Sequence, residues 1–400
     1  MFDRTTRVNL LIGTGHFLSH FYMLCLPPMF VVWQQAFDVS FAQLGMTVAL
    51  MSVTTAVLQT PVGFLVDKHG ARGFLVGGTA LMTVTMGLMG FATEFWQILV
   101  LCVLSGIGNS VIHPADYAIL TGSVPKERMG RAFAIHTFNG NLGFFLAPPV
   151  MAGLMLLLGW RGTLMLVGAL GVPLVAAILM QSSILVDQAK PKPVHTGPQI
   201  SGRALLLTKP MLLFFGFFLL SSMAGAGIQS WLITVLHQVK NMGIAEASTT
   251  LTFYMAGATS GVLVGGYVAD RIKRHLTFAS VLTIISAALL LWVAAFSLPD
   301  VAVFALMFGS GLAVGCSRTP RDLMVKDSAP PGQIGKVFGF ISSGLPLGSA
   351  ITPIPFGFII DQGHPELILV LVAIILLLSL LCVGTARLAV NHAATPVAAE

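Results

Sequence analysis

Long apolar runs follow one another along the whole chain and are separated by short polar turns. A helix needs about twenty residues to cross the roughly 30 Å hydrocarbon core of a bilayer. Runs of about this length lie at residues 8–33, 42–66, 74–92, 95–121, 131–158, 161–184, 210–236, 247–269, 276–297, 301–326, 335–360 and 366–388. The pattern predicts an all-α membrane protein with twelve transmembrane helices, and it leaves almost nothing for a soluble domain.

The longest polar segment falls in the middle of the chain and separates two sets of six runs. It contains Lys190-Pro191-Lys192-Pro193 and then Gly197-Pro198, a composition typical of a linker. We therefore predict two pseudo-symmetric six-helix bundles joined by a linker. Their boundaries are 1–185 for the N-terminal bundle, 186–209 for a cytoplasmic linker, 210–388 for the C-terminal bundle and 389–400 for a cytoplasmic tail.

The two halves carry the same landmarks at almost the same spacing. Gly143 returns 205 positions later as Gly348, and Asp67 returns 203 positions later as Asp270. A repeat of six helices begins and ends on the same side of the membrane, so an axis along the membrane normal relates the two halves. Parallel repeats of this kind are typical of carriers that bind their substrate near the bilayer midplane.

Composition and charge placement support a membrane location and exclude a nucleic-acid partner. Only 9% of the residues are charged, 56% are hydrophobic, and the mean hydropathy is +0.89. The net charge of +6 reflects topology, because all 21 Lys and Arg residues except Arg161 and Lys240 fall on one side of the predicted bundle. This bias places both termini in the cytoplasm. We expect an integral protein of the plasma membrane, which in a bacterium is the inner membrane.

The sequence lacks the motifs of several other function classes. It has no Walker motif, which excludes ATP drive from this chain, and no His/Asp cluster with catalytic spacing. We therefore expect no enzyme, no catalytic residues and no cofactor. Two duplicated halves suit a rocking carrier better than a steady pore, whereas a receptor or scaffold stays an alternative. The four cysteines lie within apolar runs and are expected to be buried thiols rather than disulfides.

A charged turn follows the second apolar run and returns in the second half. The first copy reads Gly-Phe-Leu-Val-Asp-Lys-His-Gly-Ala-Arg over residues 63–72, and the second spans residues 265–274. Both resemble the signature Gly-x-Leu-x-Asp-Arg-x-Gly-Arg-Lys of the major facilitator superfamily, and the resemblance covers essentially the whole chain. It implies alternating access with a braced inner gate; topology signalling at the membrane surface is the alternative role. The gating residues implied are Asp67, Lys68, Arg72, Arg131, Asp270, Arg271 and Arg274.

Three further stretches resemble the fosmidomycin-resistance group of efflux carriers within that superfamily. They lie at residues 106–114, 139–143 and 16–20. The resemblance implies an antiporter, which exports a small and in one interpretation anionic drug or metabolite by proton coupling. Uptake or exchange of an organic anion is the alternative. The expected partners are a small-molecule substrate, protons or another coupling ion, and the lipid bilayer, and we expect a monomer.

Charged side chains inside the predicted helices need a reason, because each costs about 2.5–3.5 kcal/mol on insertion scales. His113 and Asp116 are three residues apart and share a helix face, as do Arg318 and Arg321. His113 and Arg318 are repeat equivalents, so the internal symmetry predicts that they face each other near the midline. A substrate-facing Arg318 is one interpretation. A salt-bridge network at the cytoplasmic end, for example between Asp116 and Arg321, is the other.

His16 and His20 are four residues apart and share a face of the first helix. They fit a hydrogen-bonded cavity histidine, proton coupling by His20, or two ligands of a metal ion. Without a third ligand nearby in sequence, we predict no metal site, and we assign proton coupling to His20 and Asp116. The predicted cavity residues are Arg318, Arg321, His113, Asp116, His20, His16, His136, Asn139, Gln229 and Trp231.

Overall fold

All regular structure in the described part of the chain is helical. The computed structural model describes residues 3–125, 128–186, 207–269, 271–328, 337 and 340–394. The first helices are α1 (Arg4–Cys25), α2 (Phe30–Phe37), α3 (Phe41–His69), α4 (Arg72–Met89), α5 (Phe95–Ser110), α6 (Ile112–Ser123) and α7 (Met129–Gln181). The later helices are α8 (Lys209–Lys240), α9 (Ile244–Ala269), α10 (His275–Ala295), α11 (Asp300–Ser328), α12 (Gly344–Ile351), α13 (Pro353–Asp361) and α14 (Leu367–Ala394).

The helices confirm the predicted membrane fold. Eleven helical segments of the described chain are long and apolar enough to cross a membrane. Helix α7 has 53 residues and would be about 80 Å long if straight, far more than a bilayer needs. Its backbone leaves the helical conformation at Gly159, where φ is 64° and ψ is 175°. Because a side chain disfavours positive φ, glycine permits this turn, and α7 supplies two crossings.

Two other crossings are interrupted where the sequence predicts continuous runs. The run at 8–33 is divided into α1 and α2 by a short 3-10 turn at Pro27–Met29. Proline cannot donate the backbone hydrogen bond of a helix interior, so two adjacent prolines end α1. The run at 95–121 is likewise divided, at Val111, into α5 and α6.

The chain divides into two compact units of contacts. Unit 1 comprises Met1–Lys192, Gln229–Thr252 and Pro353–Gly363, and unit 2 comprises Pro193–Ile228, Phe253–Thr352 and His364–Glu400. Parts of α8, α9 and all of α13 thus pack with the N-terminal helices. The division of the sequence at residues 186–209 into two bundles and a linker stays a prediction.

Unit 2 contains a close contact between α9 and α11 that is built on glycine. A Cβ atom added to Gly261 would lie 2.8 Å from the backbone nitrogen of Cys316 and 3.0 Å from the Cα of Gly315. Gly257 and Gly265, one turn away on either side, also face the backbone of α11. Small residues at such spacing let membrane helices approach closely.

Substitution at this contact has a matched control on the same helix. Gly261→Ala is expected to lower the thermal unfolding midpoint, because overpacking costs about 1–3 kcal/mol. Gly266→Ala gains the same helix propensity, about 1 kcal/mol, but its nearest neighbour, Thr319 Oγ1, would be 3.8 Å away. It should leave the midpoint unchanged or raise it. Equal midpoints for the two variants in detergent would contradict the packing.

Three arginines of unit 1 donate hydrogen bonds to the last residue of α7 and to the residues that follow it. Arg4 donates to the Ile184 carbonyl at 3.0 Å, Arg7 to the side chain of Gln181 at 3.1 Å, and Arg72 to the Leu185 carbonyl at 2.9 Å. Several of the basic residues that the topology argument groups on one side therefore bind the same short segment.

At the start of α1, hydrogen bonds from Thr6 to the exposed Asp3 carboxylate lower its pKa, and the Arg128 guanidinium, 2.7 Å away, adds to the effect.

The N-terminus of α3 is capped by a carboxylate from a distant part of the sequence. The backbone N–H groups of Phe41 and Ala42 donate to Asp361 at 2.7 and 2.8 Å. The first turn of a helix has unpaired N–H groups and a positive dipole end, so a carboxylate stabilises it. Gly357 and Gly45 allow the backbones of α3 and α13 to touch beside this cap.

Removing the charge of Asp361 should loosen the start of α3. For Asp361→Asn we expect amide hydrogen exchange in residues 40–45 to become severalfold faster, since the charge contributes about 1 kcal/mol at an exposed site. Asp361→Glu should change it less. The start of α5, where Gln97 pairs with Glu94, serves as the internal control. Unchanged exchange at 40–45 would show that the cap is energetically silent.

Candidate functional site

Four histidines and one aspartate from α1, α6 and α7 meet inside unit 1. The ring of His16 stacks on the ring of His136 with centroids 3.7 Å apart and planes 7° apart. The ring of His20 lies 4.3 Å from that of His16, and the ring of His113 lies 5.1 Å from it. We call His16, His20, His113, His136 and Asp116 the histidine cluster.

Hydrogen bonds order one side of the histidine cluster. Asp116 is fully buried, and one of its carboxylate oxygens lies 2.8 Å from Nε2 of His136. The backbone carbonyl of His136 lies 2.7 Å from Nδ1 of His16. A carbonyl only accepts, so Nδ1 of His16 carries the proton and its Nε2 has the lone pair in the neutral ring. The chain Asp116–His136–His16 thus crosses from α6 through α7 to α1.

Glycine makes room for this arrangement. A Cβ atom on Gly140 of α7 would lie 2.5 Å from Cε1 of His16 and 2.9 Å from Cε1 of His20. A Cβ atom on Gly143 would lie 2.9 Å from the backbone nitrogen of Phe21. The two glycines therefore let α7 approach α1 closely enough to stack the rings.

Asp116 and Arg321 each bond to a residue of their own unit. Asp116 bonds to His136 within unit 1, whereas Arg321 bonds to Asp322 at 2.9 Å within unit 2. The two residues belong to different units, so the salt bridge between them that the sequence suggests stays a prediction.

The two predicted arginines of unit 2 lie on α11. Arg321 also places its guanidinium 4.1 Å from the ring centre of Phe218. Arg318 is partly exposed and lies within electrostatic range of Arg321, of buried Tyr254 and of Asp322. Arg318 is thus the predicted cavity arginine whose head group has no close carboxylate contact among the described residues.

The remaining predicted cavity residues lie in different parts of the fold. Trp231 is fully buried, and its indole N–H donates to the Pro353 carbonyl at 3.1 Å. This hydrogen bond links α8 to α13. Asn139 lies against Gly13 of α1, and Gln229 is partly buried.

The predicted gating residues are described only in part. Lys68, Arg271 and Arg274 are exposed, and Arg271 stacks over the ring of Tyr267 at 3.5 Å. Arg72 binds the Leu185 carbonyl. The side chains of Asp67 and Arg131, and Asp270 entirely, lie outside the described residues, so their role in a gate stays a prediction.

Sequence reasoning missed two contacts in unit 1. One is the bond between Asp116 and His136, and the other is the cap that Asp361 places on α3. The two residues of the first contact lie 20 positions apart, on separate helices. A buried aspartate near several intramembrane histidines is the signal that points to it. For the second contact, 320 positions apart, no local signal exists.

The fold and the sequence together place the chain in a family. The chain matches the Major Facilitator Superfamily over residues 12–309 and again over residues 241–399. It therefore belongs to the Major Facilitator Superfamily, and it is a transporter rather than an enzyme.

Particular relatives refine the picture. The chain is 26% identical to the fosmidomycin resistance protein of Escherichia coli (strain K12) over 384 residues, which cover 93% of this chain and 91% of the relative. It is 24% identical to the membrane sensor protein UhpC of the same strain, over 81% of this chain and 79% of the relative. A solved bacterial homologue of the human lysosomal transporter Spinster, inward-facing and unoccupied, has a TM-score of 0.77 at 14% identity, covering 98% of this chain and 97% of that one.

Proposed function

We propose that this chain is a proton-coupled secondary carrier that exports a small, anionic drug or metabolite by alternating access. It resides in the plasma membrane, which in a bacterium is the inner membrane, with both termini in the cytoplasm. A single observation supports the coupling most strongly: Asp116, a fully buried carboxylate, is bonded to His136 in a chain of which only 9% is charged. Ionisable groups inside membrane helices mark proton relays and substrate paths, because burying them is costly.

Asp116 is suited to hold and release a proton. Its one bonded oxygen faces His136, and its other oxygen is buried without a hydrogen-bond partner among the described residues. An ionised carboxylate accepts an N–H from Nε2 of His136, whereas a protonated carboxyl can donate to that nitrogen when it carries the lone pair. The two protonation states thus differ in the direction of this bond, and a coupling residue needs such a difference if each state is to favour one conformation.

The substrate class follows from Arg318. A partly exposed guanidinium on a membrane helix is a ready partner for a carboxylate or a phosphate. Export is favoured because a relative is named for resistance to fosmidomycin. Uptake or exchange of an organic anion is the alternative direction with the same chemistry.

The proposal is tested in two steps on purified protein. First, a thermal-shift screen of small organic anions, with fosmidomycin included, identifies a solute that stabilises the carrier. Second, proteoliposomes with that solute at equal concentration inside and outside are given an outward or inward proton gradient. We expect solute flux that reverses when the gradient is reversed. Flux that does not depend on the gradient would contradict proton coupling. Binding without any flux would favour a sensor, which is what the relative UhpC is named.

A further inference from the structure

Three imidazoles of the histidine cluster converge on one point. His16, His20 and His113 each present a ring nitrogen, and these three nitrogens lie within 4.8 Å of one another. Three nitrogens bound to one zinc ion lie about 3.4 Å apart, given Zn–N distances of about 2.0–2.1 Å. Binding an ion would therefore bring the nitrogens closer by up to about 1.4 Å.

The tautomer of His16 is already that of a metal ligand. Its Nδ1–H is held by the His136 carbonyl at 2.7 Å, and its buried Nε2 has no hydrogen-bond partner in the described part of the chain. Metal-binding histidines almost always donate their second ring N–H to a carbonyl or carboxylate in this way. The Nδ1 atom of His113 is likewise buried with no partner among the described residues. Two buried imidazole nitrogens inside an apolar bundle are thus available to bind a ligand.

We infer that His16, His20 and His113 bind a divalent transition-metal ion such as Zn²⁺ or Co²⁺. Neutral imidazole suits these ions, and a three-histidine set leaves a fourth position for water or a solute. Sequence alone gave only the pair on α1, because the third ligand is supplied by α6. The inference is separate from the proton role of Asp116, whose hydrogen bond among the described residues goes to His136 and not to any of the three ligands.

Cobalt reports the site directly. Protein freed of its purification tag is titrated with Co²⁺ in detergent, and the visible absorption bands of the ion are recorded. We expect one equivalent to give the intense bands of a four- or five-coordinate ion. The sulfur-to-cobalt band of a thiolate ligand should be missing, because the buried cysteines are not among the ligands. Added Zn²⁺ should then displace Co²⁺ and abolish these bands.

Variants assign the ligands. His16→Gln, His20→Gln and His113→Gln should each weaken Co²⁺ binding by more than the roughly 10–100-fold that loss of an outer partner costs. His237→Gln, on α8 with its ring bonded to the Met242 carbonyl, should bind as the parent protein does. Circular dichroism checks that each variant is folded. The inference is overturned if the parent shows no such bands, or if the three variants bind like His237→Gln.

Discussion

Replacing Asp116 by asparagine is expected to abolish proton-driven transport and to leave the folded protein almost as stable as before. The amide oxygen of asparagine can still accept from Nε2 of His136, so the hydrogen bond of 2.8 Å has a replacement. Loss of the charged bond therefore costs only about 1–2 kcal/mol. The amide cannot take up or release a proton, however, and the coupling step is lost.

The measurement separates coupling from binding. In proteoliposomes, flux driven by a pH gradient should fall to the level of empty liposomes, whereas exchange of labelled for unlabelled solute without a gradient should continue. Asp300→Asn changes an exposed aspartate at the start of α11 and serves as the matched control. Gradient-driven flux that survives in Asp116→Asn would move the coupling role elsewhere, with His20 as the remaining candidate from the sequence.

Replacing Arg318 by alanine should remove transport while the protein remains abundant in the membrane. If the guanidinium binds the anionic part of the solute, its loss leaves that charge unpaired in a partly buried site. Truncating one partner of such a pair costs about 2–5 kcal/mol, which corresponds to roughly 30- to several-thousand-fold in affinity. The thermal shift that the solute produces in the parent protein should disappear together with the flux.

Two further variants show whether the effect is specific to this charge. Arg318→Lys keeps a cation but not the planar, two-pronged donor, so we expect weakened and measurable transport. Lys209→Ala removes an exposed cation at the start of α8 and should transport normally. Normal flux by Arg318→Ala would remove this residue from the substrate site and leave the salt-bridge interpretation for α11.

The length and number of the apolar runs were sufficient to predict the fold class, because few backbone structures can cross a membrane. Backbone groups in hydrocarbon must be paired within the segment, so a long apolar run becomes a helix. The boundaries were less predictable. Pro27 and Pro28 end α1 inside one predicted run, and at Gly159 the chain turns between two runs with hardly any loop. Both effects depend on backbone geometry rather than on hydropathy.

The candidate site was predictable in its members and not in its pairing. The costs of burial pointed to His16, His20, His113 and Asp116 as residues with a reason to be there. Which side chains touch depends on how α1, α6 and α7 approach one another, and Gly140 and Gly143 allow the close approach of α7 to α1. Spacing within one helix contains no information about that approach, so the Asp116–His136 bond and the third imidazole emerged only from the structure.

Gly140 gives a marker for sorting homologous sequences. Any side chain at this position would occupy the space of the imidazoles of both His16 and His20. Glycine here and histidines at the two helix positions should therefore be inherited together. In an alignment of relatives, sequences with a larger residue at this position are expected to have replaced at least one of the two histidines, so that covariation of three columns would trace where the cluster arose and where it was lost.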